Sequence, residues 1–131
     1  MAAIAIAAVD SETGYAQRIK AGLHDLKADE PISAGGTNTG PTPYALLLAA
    51  LGACTSITLR MYAEKKGWRL GRIHVELRQD KSDDGADRIE REIRFAAPLT
   101  EQQRRLLAEV AERTPVTKTI KTGSPIHTRL V

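Results

Sequence analysis

The stretch YALLLAALGACTSITLRMY, residues 44–62, limits what this chain can become more than any other part of it. Its apolar residues fall on almost every side of a helix, and a helix that is hydrophobic all round is normally buried. Thr42 is a residue type suited to the N-cap, and Pro43 fits the first helical position, where a missing N–H costs nothing. Gly67 marks the end, with Lys65 and Lys66 beside the negative end of the helix dipole. The reading is a core helix from Tyr44 to Lys66. Thr55, Ser56, Thr58 and Arg60 interrupt the apolar run, leaving too short a stretch for a membrane span.

The remaining elements fit around that helix. The opening MAAIAIAAVD has no basic region and its apolar run ends at Asp10, which argues for a strand rather than a signal or membrane segment. Strands are expected at Ala3–Val9, Tyr15–Lys20 and His24–Ala28, with Gly22 at a tight hairpin turn. The loop DEPISAGGTNTGPTP follows. Beyond Trp68, which should cover the helix end, the pattern changes to period two. Ile73, Val75 and Leu77 share one face, and His74, Glu76 and Arg78 share the other. KSDDGADR connects this strand to a returning one with Ile89, Ile93 and Phe95 inward. Thr100 then caps a second helix with Leu106, Leu107, Val110 and Ala111 on its apolar stripe. That helix should stop near Thr114-Pro115, because the residue before a proline disfavours the helical region. A short helix or turn at Val116–Lys121 leads to a last strand, Ser124–Leu130. This order describes a single α+β domain over residues 1–131, long enough to bury roughly two-thirds of its unfolded surface.

Charge and composition exclude several function classes. Lys and Arg number 19 against 16 Asp and Glu, but the two signs are interleaved and aromatics are only 4%. Neither a basic block nor a stacking ladder for nucleic acid is present. His24, His74 and His127 are isolated, so neither a metal nor another cofactor is expected. One cysteine cannot form an internal disulfide, which fits a reducing cytoplasm.

That cysteine, Cys54, shares a helix face with Leu47, Ala50, Leu51, Ile57, Thr58 and Met61. Ala49, Ala50, Gly52, Ala53, Thr55 and Ser56 are small, and would let the second helix or a partner subunit come close. From spacing alone, Cys54 reads as a small hydrophobe on a buried helix. A mid-helix position does not by itself activate a thiol.

The segment ADEPISAGGTNTGPTPYALLLAALGACTSITLRMYAEKKGW resembles the OsmC/Ohr family, specifically its small OsmC-like branch. The branch reads D-E-P, then G-G-T-(D/N)-T-G-P-(T/S)-P-Y, then L-L-L-A-A-L-G-A-C-T and T-L-R-M-Y-A-x-(R/K)-K-G-W. The resemblance implies antiparallel sheets packed around a long central helix, a second helix, and an intertwined homodimer. It places Cys54 at the position of the cysteine that attacks an organic hydroperoxide and becomes a sulfenic acid. In the family a second cysteine then condenses with it to a disulfide. The second cysteine's motif, Cys-Pro-Val-(His/Ser), corresponds to Thr114-Pro115-Val116-Thr117, so Thr114 stands where that sulfur would be.

The family's glutamate falls in the first helical turn, where this chain reads Pro43-Tyr44-Ala45-Leu46, and is not retained. Its arginine comes from the N-terminal strands or the following loop, and Arg18, the only arginine before Arg60, is the candidate for it. The pocket implied at the dimer interface includes Tyr44, Leu47, Ala50, Leu51, Thr58 and Pro115. Thr117 reads as a surface-turn residue and His127 as a strand-face residue.

Three functions stay open. The chain is a one-cysteine hydroperoxide reductase resolved by external thiols or the other subunit's Cys54. Alternatively it is a catalytically degenerate relative that binds a small apolar or thiol ligand. The third is a structural or regulatory protein without small-molecule chemistry. Neither nucleic acid nor membrane is an expected partner.

Overall fold

A computed structural model describes residues 2–131. The elements in chain order are β1 (Ala7–Asp10), β2 (Gln17–Ala21), β3 (His24–Ala28), a 3-10 turn (Ile32–Ala34), α1 (Pro43–Lys66), β4 (Ile73–Lys81), β5 (Asp87–Phe95), α2 (Glu101–Ala111) and α3 (Pro115–Thr122). The chain divides within α1 into two compact units, one ending at Leu47 and one beginning at Leu48.

In the first unit β1, β2 and β3 form an antiparallel sheet in that order. Gly22 turns the β2–β3 hairpin at φ +58, a conformation cheap only for glycine. The first strand is shorter than its apolar run. Ala7 pairs with Ala21, the last residue of β2, so Ala3–Ile6 have no ladder to join beyond one bond from the Gly22 N–H to the Ile6 carbonyl.

The following loop is built on Asp29, which is 1% exposed. Its carboxylate accepts from the N–H groups of Glu30, Thr37 and Thr39 and from the hydroxyls of Thr37 and Thr39. These bonds, led by the Thr37 hydroxyl, hold the Asp29 carboxyl well below the usual carboxylate range. A side chain at Gly36 would collide with the Glu30 carbonyl, so the loop closes only around glycine there. Thr42 caps α1 as expected, accepting from the Ala45 N–H at 3.2 Å.

The second unit holds most of α1, the antiparallel β4–β5 hairpin, α2 and α3. Its core is Leu59 and Ala63 of α1, Leu70, and Leu107, Val110 and Ala111 of α2. Tyr62, Trp68, Ile73, Ile93, Phe95 and Leu99 pack around it. Trp68 meets Tyr62 edge to face at 5.7 Å, next to the Gly67 stop. Thr100 and Gln103 form a reciprocal capping box at the start of α2.

Several expectations are corrected here. α1 is not enclosed: only Leu51, Gly52, Thr55, Leu59 and Ala63 are buried, while Tyr44, Leu47, Ile57 and Met61 are exposed. Its polar residues also do not shorten the apolar stretch as read. By length and composition α1 could cross a membrane, with mean hydropathy 1.5 and 22% of that stretch buried. Within the chain, the neighbour that uses the smallness of Gly52 is β4 and not the second helix, because a Cβ there would lie 2.8 Å from Leu77 Cδ1. Finally, residues 123–131 form no strand, and Ile126, Leu130 and Val131 are exposed. Apolar character alone does not make a strand without a ladder partner, and His127 therefore sits on no strand face.

Candidate active site

The site grows from the junction of α2 and α3. Thr114 adopts extended geometry as the N-cap of α3, and its Oγ1 accepts from the Thr117 N–H. Pro115 has no N–H to offer. The first amide of α3 that is free to donate is therefore that of Val116, and it points to Cys54 Sγ at 3.5 Å. Cys54 is half-buried, with Thr58 Oγ1 4.0 Å from its sulfur one turn further along α1. An amide at a helix N-terminus is suited to a sulfur that carries negative charge, since charge-assisted hydrogen bonds are the stronger ones.

Behind this contact lies Arg91 of β5, whose side chain is only 11% exposed. Its Nη1 donates to Thr55 Oγ1 of α1 and to Thr117 Oγ1 of α3, both at 2.9 Å. Its Nη2 donates to the Ala111 carbonyl at the C-terminal end of α2 and to Glu112 Oε2. Thr55 Oγ1 donates in turn to the Leu51 carbonyl at 2.7 Å, and Thr114 and Thr117 share a hydroxyl–hydroxyl bond at 2.6 Å. Glu112 also receives Lys121 Nζ at 2.7 Å. That hydrogen bond is the largest influence and, with the charges of Lys121 and Arg91, lowers the Glu112 carboxyl despite burial, the second-largest influence, which acts the other way.

The residues singled out in the sequence fall into three groups. Cys54, Thr58 and the Pro115–Val116 peptide meet around the sulfur. Thr114 is fully buried and spends its hydroxyl on Thr117, and Leu51 is buried while Ala50 is exposed. Arg18, Tyr44 and Leu47 belong to the first unit. There Arg18 is an exposed strand residue paired with Glu12 at 3.0 Å, and Tyr44 and Leu47 are exposed on the first turns of α1. Thr117 is no surface-turn residue: it is 4% exposed, held inside by Arg91 and the Ala111 carbonyl.

Arg91 itself was missed, although its signal was present. In RIEREIRF the inward positions are Ile89, Arg91, Ile93 and Phe95, and β5 shows this alternation of burial. A charged residue in an inward register asks for buried partners, and here it has three, Thr55, Thr117 and the Ala111 carbonyl, with the exposed Glu112 as a fourth.

Comparison with known proteins adds the following. A model of the OsmC-like protein family matches residues 36–129. An uncharacterized protein of Haloferax volcanii is 29% identical over 104 residues, covering 78% of this chain and 75% of its own. A Psychrobacter arcticus protein described by osmotic stress induction and a detoxification response superposes with a TM-score of 0.78 at 16% identity, over 91% of this chain and 90% of its own. An organic hydroperoxide resistance protein of Legionella pneumophila superposes with a TM-score of 0.68 at 18% identity, over 91% and 90%. The α+β architecture is thus the fold of these proteins.

Proposed function

The chain belongs to the OsmC-like protein family, and from that footing we propose that it is a stress-response redox protein that reduces organic hydroperoxides with Cys54 alone. The observation that carries this reading is the Val116 N–H directed at Cys54 Sγ from the start of α3. The hydroperoxide-resistance relative of the same fold lends the substrate class.

The step is a two-electron transfer. The Cys54 thiolate attacks the terminal oxygen of ROOH, the S–O bond forms, the O–O bond breaks, and the alkoxide leaves and takes the proton of the transferred oxygen to give ROH. The sulfur is then a sulfenate, and the Val116 amide is placed to donate to that anionic group. With threonine at position 114 no second sulfur follows in the α2–α3 junction, so an external thiol supplies the reducing electrons. The first thiol condenses with the protonated sulfenic acid, Cys–SOH, to a mixed disulfide and releases water, and a second restores Cys54.

A homodimer belongs to this proposal. Ile57 and Met61 leave apolar surface of α1 uncovered in one chain, and a second copy would bury it. Steady-state consumption of cumene hydroperoxide in the presence of a small monothiol tests the reading. Turnover that vanishes in Cys54→Ser is expected. Equal, background-level consumption by both proteins would favour the ligand-binding alternative.

A further inference from the structure

We propose that Arg91 is a positioning residue for Cys54: it clips α1 to the α2–α3 junction so that the Val116 N–H stays on the sulfur. The geometry is specific. One nitrogen of the guanidinium bridges Thr55, the residue after Cys54, to Thr117, the residue after Val116. The donor and acceptor of the N–H···S contact are therefore each one residue from a hydroxyl held by the same Nη1. The other nitrogen fixes the end of α2 through the Ala111 carbonyl and Glu112. Arginine suits this place because its planar fork reaches several acceptors in fixed directions, which a lysine ammonium cannot do. All four bonded groups accept from its two Nη atoms, so those nitrogens are committed to them and Arg91 acts on the sulfur through the backbone it holds.

Glu112 is the charged part of the clip. It balances Arg91 and is itself held by Lys121, the basic residue in the last turn of α3. The unit thus joins α1, β5, α2 and α3 at one point, with the sulfur contact beside it.

The inference rests on Cys54 as a working thiol, and alkylation can test it separately from peroxide chemistry. Second-order rates of iodoacetamide reaction at Cys54 are measured against pH in the full-length protein. The variants are Arg91→Lys, Thr55→Val and Thr55→Ser, each checked by circular dichroism and thermal midpoint. Thr55→Val keeps the side-chain shape and removes the acceptor on α1, which guards against an Arg91 variant that does not fold. Its alkylation rate near neutral pH is expected to fall roughly tenfold, the scale of one charge-assisted hydrogen bond. The pH profile should move to higher pH, and Thr55→Ser should recover the rate. Arg91→Lys should fall with Thr55→Val. A folded Thr55→Val or Arg91→Lys with an unchanged rate and pH profile would overturn the inference. A hydroperoxide-inert parent that still shows this pattern would overturn the peroxidase reading and leave the clip standing.

Discussion

Thr114 does at the start of α3 what a cysteine would do poorly. Its hydroxyl accepts from the Thr117 N–H and bonds the Thr117 hydroxyl, so the buried N-cap is satisfied. Thr114→Cys exchanges that cap for a second sulfur. The cap loss should cost about 1 kcal/mol. In return, one equivalent of hydroperoxide should give a product two hydrogens lighter than the reduced protein, the mass of an internal disulfide. A product carrying one added oxygen would instead mean that position 114 does not reach Cys54. Asp29 offers a second test at this scale. Its folded carboxyl lies below its unfolded value, so it adds stability above the ordinary carboxylate range, near about 4, and loses it as pH falls through that range toward the folded value. Asp29→Asn should lower the thermal midpoint at neutral pH, with the gap to the parent closing in acid. A gap that is constant with pH would contradict the role given to this carboxylate.

Among the elements, α1 shows what a sequence reveals and what it hides. Its ends were legible because caps are local: Thr42, Pro43 and Gly67 act within one turn of themselves. The β4–β5 pair was legible for a similar reason, since period two fixes which side chains share a face. The covered face of α1 was not legible, because an all-apolar helix carries no periodic signal for it. Gly52 shows the consequence. Its need to be small comes from Leu77, 25 residues later in the chain, and no local pattern encodes that contact. Gly52→Val should therefore destabilise the fold by about 1–3 kcal/mol in chemical denaturation, the range for overpacking. A neutral result would mean that Leu77 moves aside freely. The site divides along the same line. Cys54 and Thr114 were singled out through the family pattern, and the family's arginine was sought before the helix, in Arg18. The structure places Arg18 on an exposed pair with Glu12 and a different arginine, Arg91, in the buried network.

For the whole molecule, the exposed apolar residues of α1 bear on assembly. Ile57 is 55% exposed and Met61 58%, both on a helix otherwise suited to burial. If a second copy covers them, Ile57→Glu with Met61→Glu should shift sedimentation from dimer toward monomer. An unchanged dimer would place the interface elsewhere. The central claim, however, is chemical: Cys54 takes an oxygen from a hydroperoxide and returns to the thiol through an external thiol. Intact mass after brief exposure to one equivalent of cumene hydroperoxide, followed by a small thiol, reads both halves at once. The account predicts one added oxygen on Cys54, converted to a mixed disulfide with the added thiol and absent in Cys54→Ser. A Cys54 left unmodified under conditions that oxidise free cysteine would contradict it.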